Sequence, residues 1–394
     1  MSPTRWPSPT ADGSLSRAEL TWMSLYEFLH TKGYRLRARY HPNWHPSWIG
    51  SDVTPEYIRE HHLEGDYEDI LPILCRGEAL DATKVEDGKP VWLKMLLSTG
   101  EELSILRTMS QKDLRFYPHN HCVSILDVFD VPDTDGKYSI AVQPMLRTWY
   151  DPPLHLFVEA IAVIDQILEG LAFMHSLKVT HGDIMSNNIM MNADAMFPDS
   201  FNPLVVGRSN RSFVLPDATP LGSRLEVPVK YIYIDFGSGR SFRSDEEPPL
   251  VIWNGGFSLM PEIYETYLDA TSSRTRPYDP FKADVWALGY FFYGHFMRPC
   301  MRRFPVLDAL ILNMLQHDPL SCPSAAESLR QFRDATASLS WSLCYRFPPF
   351  RMISWGYPRE EREKVERDEA QEYFRYLLHF LYKTAGEPRL LDHM

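Results

Sequence analysis

Positive charge is the first scarcity in this chain. Its 394 residues carry 40 lysines and arginines against 52 acids, a formal net charge of −12. No basic block offers the electrostatic footprint of a nucleic-acid surface. Cysteine is scarce too: Cys75, Cys122, Cys300, Cys322 and Cys344 are scattered, with no C-x-x-C pair. That pattern argues against a disulfide framework or zinc ribbon and suits a reducing compartment. Long apolar runs are missing. The stretch Val285–Met297 holds Trp, Gly and His and is too short to cross a bilayer. Met1–Leu15 is rich in Pro, Ser and Thr and lacks the apolar core of a secretory signal. The expectation is a soluble, intracellular protein, cytoplasmic or nuclear or both, with neither nucleic acid nor membrane as partner. An apolar fraction of 44% excludes global disorder, and the length suits two lobes.

Residues 1–15 read as a disordered tail and 16–70 as an N-terminal extension. Within the extension, Leu20, Met23, Leu25, Phe28 and Leu29 fall near helical spacing, with Ser16 and Glu19 placed to cap and Gly33 to terminate. His41 and His45 are four apart, but Pro42 and Pro46 oppose the helix that a metal pair would need. The HPNWHPSW segment is expected to be extended, a Trp-rich strap over an apolar surface. From 71 to about 145 the pattern is β-type. Glu86–Lys89 is a hairpin signal before the strand Pro90–Leu97, and Asp135-Gly136 a second one before Tyr138–Val142. From about 146 to 333 it is mainly helical: Leu156, Ala160, Val163, Ile164, Ile167, Leu171 and Met174 share a face. Residues 192–229 read as an inserted loop. The segment 334–394 reads as a helical extension, solvated at the charged run Arg359–Asp368. A β-rich half followed by an α-rich half implies an α+β, bilobal fold with a cleft.

The informative residues begin at Thr180 with His181-Gly182-Asp183-Ile-Met-Ser-Asn-Asn188. Farther on, the apolar strand Tyr231–Ile234 runs into Asp235-Phe236-Gly237. A strand ending in an acid and a glycine puts a carboxylate at a sheet edge. Asp183 and Asn188, five apart on a loop after a long helix, add a second acid and an amide oxygen. A few oxygen ligands with room left for phosphate oxygens are what Mg²⁺ needs.

Over about 71–333 the chain resembles the protein kinase superfamily, as a divergent, fungal-type member. The resemblance implies that Asp183 orients and deprotonates a substrate hydroxyl and that Asn188 and Asp235 hold Mg²⁺. It implies that Lys94 pairs the α- and β-phosphates of ATP and that Glu102 holds Lys94, with Glu101 as a close competitor. Adenine would sit near the hinge around Gln143 to Leu146, beside Met145, with Val142 as gatekeeper. His181, Phe236 and Gly237 would be structural, and Glu262, in Met260-Pro-Glu262, would end the activation segment. Asp284, in Asp-Val-Trp-Ala-Leu-Gly, would brace the catalytic loop. His119 and His121 fit a structural turn better than a metal pair.

Departures are specific. The Gly-rich phosphate loop is missing, with Arg76–Ala82 in its place, and Glu78 and Asp81 bring negative charge towards a polyanion. Met185 stands where serine/threonine kinases carry a lysine, and Gly182 replaces the catalytic-loop arginine. Activation gated by phosphorylation of Ser241, Ser244 or Ser258 is therefore not expected. Cys322 stands where Glu262 would find its arginine. The expected activity is transfer of the ATP γ-phosphate to Ser or Thr of a protein, with ATP and Mg²⁺ as cofactors. A pseudokinase scaffold and a small-molecule kinase of the aminoglycoside or choline type are the alternatives. The N-terminal extension could strap the small lobe, cover a regulatory face or recruit a partner.

Overall fold

A computed structural model describes residues 14–50, 53–61, 67, 78–202, 218–242, 250–252, 277–298, 305–316, 318 and 321–337. The fold is α+β and bilobal. Met260–Glu262, residues 203–217 of the insert, and 338–394 lie outside the described residues, as do 1–13 of the tail.

The chain enters through α1 (Arg17–Ser24) and α2 (Tyr26–Thr31). Ser16 and Glu19 close the expected capping box: Ser16 N donates to Glu19 Oε2 at 2.9 Å and Glu19 N to Ser16 Oγ at 3.3 Å. Gly33, at φ +86°, turns the chain into β1 (Tyr34–Arg35). Beyond it, segment 41–48 is a run of bends and turns rather than extended chain, with Trp48 buried. The Trp44 and Trp48 rings are 6.0 Å apart and the Arg39 guanidinium lies 5.0 Å from the Trp44 ring. A short helix, α3 (Pro55–Glu60), follows.

The main sheet runs in the order β1-β2-β3-β5-β4, with β2 (Ala79–Lys84), β3 (Pro90–Leu97), β4 (Asp127–Asp130) and β5 (Tyr138–Pro144), all paired antiparallel. Its first strand comes from the segment read as a separate extension, so a boundary at 70/71 divides one sheet. The alternation of strand side chains gives this sheet two unlike faces. Leu80, Ala82, Val91, Leu93, Ile140 and Val142 point one way and pack with Trp22, Leu25, Leu29 and Leu36 in a single apolar core. Asp81, Trp92, Lys94, Ala141 and Gln143 point the other way, towards the cleft.

Helix α4 (Glu101–Met109) lies between the lobes and α5 (Lys112–Arg115) follows it. The turn after α5 is structural, as expected. Buried Asn120 donates to the carbonyls of Met109 and Leu114, both at 2.9 Å, and accepts from Cys122 N. The second lobe is built on α6 (Phe157–Ser176), whose expected face from Ala160 to Met174 is buried. Beside it stands a small sheet of β6 (Arg147–Thr148), β8 (Ile189–Asn192) and β9 (Lys230–Tyr233), while β7 (Val179–Thr180) pairs β10 (Arg240–Ser241). Helices α7 (Pro280–Phe292), α8 (Pro305–Met314) and α9 (Ala325–Thr336) complete it. The described ends of the insert are anchored. Arg147 lies 4.4 Å from the ring of Phe197, and buried Arg224 donates to Tyr231 Oη at 2.8 Å and to the Pro152 carbonyl.

Candidate active site

Strand β3 aims Lys94 at the cleft, where its side chain is only 13% exposed and its ammonium meets two carboxylates. Lys94 Nζ donates to Glu102 Oε1 at 2.5 Å and to Asp235 Oδ1 at 2.8 Å. Burial opposes the lysine's charge, but Glu102 and Asp235 outweigh it and raise its pKa above the ordinary value. Asp235 runs the other way. Burial would raise its pKa, and Lys94 overrides that and holds it below the usual carboxylate range. Burial pushes Glu102 up, with Lys94 offsetting only part of the rise.

The competition between Glu101 and Glu102 resolves into two jobs. Glu102 holds Lys94, while Glu101 Oε1 accepts from the backbone N and the hydroxyl of Ser241 at 2.7 and 2.8 Å. The first turn of α4 thus grips both β3 and the segment that follows Asp235.

Asp235 itself sits at φ +63°, a left-handed conformation that costs a non-glycine residue about 1–2 kcal/mol. Its neighbours hold it there. Phe236 is fully buried, its ring 5.0 Å from that of His181, and Gly237 N donates back to Asp235 Oδ1 at 3.3 Å. His181 Nε2 lies 2.9 Å from the Ile234 carbonyl, which can only accept, so the ring proton is on Nε2. Nδ1 is then left to accept the Asp183 amide at 3.2 Å.

Asp284 is 1% exposed and braces this loop, its Oδ2 accepting His181 N at 2.7 Å and its Oδ1 accepting Gly182 N at 2.8 Å. His175 Nε2 lies 3.1 Å from the same Oδ2. Gly182 has a local reason of its own. At φ +75°, a Cβ there would stand 2.3 Å from the Ser238 carbonyl oxygen, so the chain after Asp235 packs against bare backbone.

Asn188 closes the loop. Its Nδ2 donates to the Asp183 carbonyl at 2.8 Å and to Asp183 Oδ2 at 3.0 Å, which turns its amide oxygen outward from that pair.

Lys94, Glu102 and Asp235 are therefore in direct contact, and Asp183 and Asn188 form a second cluster. His181 and the backbone of residues 234–237 join the two. Gln143 is buried on the cleft face opposite Trp92, and Met145 is half-buried just past β5. Val142 needs correction: it pairs with Leu93 on the opposite face, fully buried in the outer core, so Gln143 occupies the place expected of Val142. The charge of Asp81 is also answered, by Arg37 at 3.0 Å. Glu262 lies outside the described residues. Trp92, Arg37 and the Glu101–Ser241 link escaped sequence reasoning. The alternation Tyr34-Arg-Leu-Arg37, buried at Tyr34 and Leu36, was the available signal for β1 and Arg37.

No family model matches the chain. Among curated proteins it is 26% identical over 145 residues to mitogen-activated protein kinase 2 of Pneumocystis carinii, covering 34% of this chain and 40% of that one. It is 31% identical over 128 residues to serine/threonine-protein kinase NLK2 of Xenopus laevis, covering 30% and 29%. Over 121 residues it is 31% identical to cyclin-dependent kinase 4 of Ovis aries, covering 29% and 38%. The chain is similar to protein kinases. That similarity spans well under half the length of these relatives.

Proposed function

We propose that the chain is an ATP-dependent protein kinase that transfers a phosphoryl group to Ser or Thr hydroxyls of a protein. The observation that carries this reading is the bridging of Lys94 to Glu102 and Asp235 beside the Asp183–Asn188 pair. The donor set suits Mg²⁺: one half-exposed carboxylate on Asp235 and the amide oxygen of Asn188 are hard oxygen ligands, few enough to leave places for water and phosphate. Bound there, Mg²⁺ would neutralise phosphate charge. Lys94 would anchor phosphate oxygens, oriented by Glu102, and Asp183 would align the substrate hydroxyl and accept its proton. Positioning and electrostatics would supply nearly all of the rate.

A second reading, a binding module with little or no turnover, is favoured by one specific observation. Among the described residues no short glycine turn joins β1 to β2; residues 36–78 intervene. Thermal unfolding of wild type, Lys94→Ala and Asp235→Ala with and without Mg²⁺-ATP tests the site. A ligand at about a hundred times its Kd stabilises the native state by ~2.7 kcal/mol. A Mg²⁺-dependent shift lost in both variants supports the nucleotide site, and none at millimolar ATP overturns it. Transfer to Ser/Thr protein substrates that disappears in Asp183→Asn separates kinase from binding module.

A further inference from the structure

Trp149 follows β6, which pairs with β8, so it stands beside the exit of the loop that carries Asp183 and Asn188. Its side chain is fully buried and walled by rings: Phe291, His295 and Phe296 lie 5.3, 5.3 and 5.5 Å away. Phe291 belongs to α7, while His295 and Phe296 belong to the π-helical turn Tyr293–Met297 that continues it. An indole packed this way is a fixed point, and a buried indole N–H needs an acceptor. Nε1 donates to Ser186 Oγ at 3.0 Å. Ser186 opens the turn Ser186–Asn188, which has no side-chain cap of its own. Two residues on, Asn188 donates its backbone N–H to the Met185 carbonyl at 2.9 Å and its Nδ2 to Asp183.

Helix α7 therefore grips the loop twice. Asp284 takes the amides of His181 and Gly182 at the start, and Phe291 backs the indole that takes Ser186 near the end. Seven residues separate the two grips, about 10 Å along a helix at 1.5 Å per residue. Asp183 lies between them, and Asn188 follows immediately after the second. We propose that Trp149, acting through Ser186, is a positioning residue for Asn188 as a ligand of Mg²⁺, an inference that rests on the nucleotide site above. Side chains that hold a metal ligand from behind set its direction, and losing one costs about 10–100-fold in metal affinity.

The test titrates Mg²⁺ at fixed ATP on the full chain and reads thermal shift, for wild type, Ser186→Ala, Ser186→Thr and Asn188→Ala. Ser186→Ala removes the acceptor and leaves both rings and loop length intact. It is expected to need about tenfold more Mg²⁺ for half its shift, while Ser186→Thr, which keeps the hydroxyl, titrates near wild type. A cooperative unfolding transition without ligand checks that each variant is folded. Ser186→Ala that titrates Mg²⁺ like wild type overturns the proposal, even with a lowered Tm, because the bond then serves stability alone. Asn188→Ala with an unchanged Mg²⁺ titration overturns it too, since the residue being positioned is then no ligand. Asn188→Ala that loses the Mg²⁺ dependence while Ser186→Ala keeps it refutes the role of Trp149 and leaves the nucleotide site standing. No Mg²⁺-dependent shift in wild type means that the nucleotide site itself has failed, and the positioning role with it.

Discussion

Gly182→Ala tests whether the loop carrying Asp183 and the turn after Asp235 are locked together by contact. Two costs add. Alanine at φ +75° pays about 1–2 kcal/mol for the left-handed backbone. Its Cβ would lie 2.3 Å from the Ser238 carbonyl oxygen and 2.9 Å from the carbonyl carbon, an overlap with backbone that no rotamer relieves. Forced overpacking of this kind costs about 1–3 kcal/mol. The expected loss is thus ~2–5 kcal/mol, or roughly 4–10 °C in Tm at about 2 °C per kcal/mol. Gly136→Ala is the control: its φ is +72°, but nothing stands within 4 Å of the new Cβ, so it pays the backbone cost alone. Displacing Ser238 also disturbs the turn that holds Asp235, so any Mg²⁺-ATP stabilisation should shrink in Gly182→Ala and stay intact in Gly136→Ala. Differential scanning calorimetry on both variants decides the matter. Equal midpoints would refute the packing argument, because strain alone cannot distinguish the two positions.

Other expectations concern the flanks of the site. Burial raises the pKa of Glu19, but Arg39 at 2.6 Å and the Ser16 amide outweigh it and hold it below the usual range. Its stabilising contribution is present above about pH 4.5 and lost as pH falls through the depressed folded value. Glu19→Gln should therefore lower Tm at pH 7 and narrow its gap to wild type towards pH 3 in a Tm-against-pH series; a constant gap would contradict this. Ser241→Glu sets a second carboxylate against Glu101, so amide hydrogen exchange in α4 should quicken at low salt and return to normal when Glu101→Gln is added. Trp22→Ala empties a fully buried site behind the main sheet and should cost about 3–5 kcal/mol in urea unfolding.

What the sequence made legible was local or strongly patterned. The capping box at Ser16, the hairpin before β3 and the buried face of α6 each depend on a few neighbouring residues, and each stands where periodicity put it. The polar groups Lys94, Glu102, Asp183, Asn188 and Asp235 could be picked out because their chemistry recurs at fixed spacing. What stayed hidden was non-local. A two-residue strand carries almost no period of its own, and Tyr34–Arg35 is a strand only because Lys84 and Thr83 lie beside it. The misplaced Val142 has a related cause: moving one residue along a strand reverses its face, and only the pairing of Leu93 with Val142 fixes which face that is. The role of Gly182 depends on Ser238, far along the chain, and no spacing rule encodes such a contact.

The borrowed strand β1 sets a timetable for biogenesis. Helices α1 and α2 and strand β1 are synthesised well before β2 and β3, with roughly 60 residues of translation between Tyr34 and Leu97, about 3–12 s at 5–20 residues per second. During that interval Trp22, Leu25 and Leu29 have no sheet to cover. A chain that starts at residue 71 would inherit the complementary problem for good: β2 becomes an open edge, and Leu80, Leu93 and Val142 lose their cover. Such a fragment should aggregate or be held by chaperones, while one that begins before Ser16 should remain in solution.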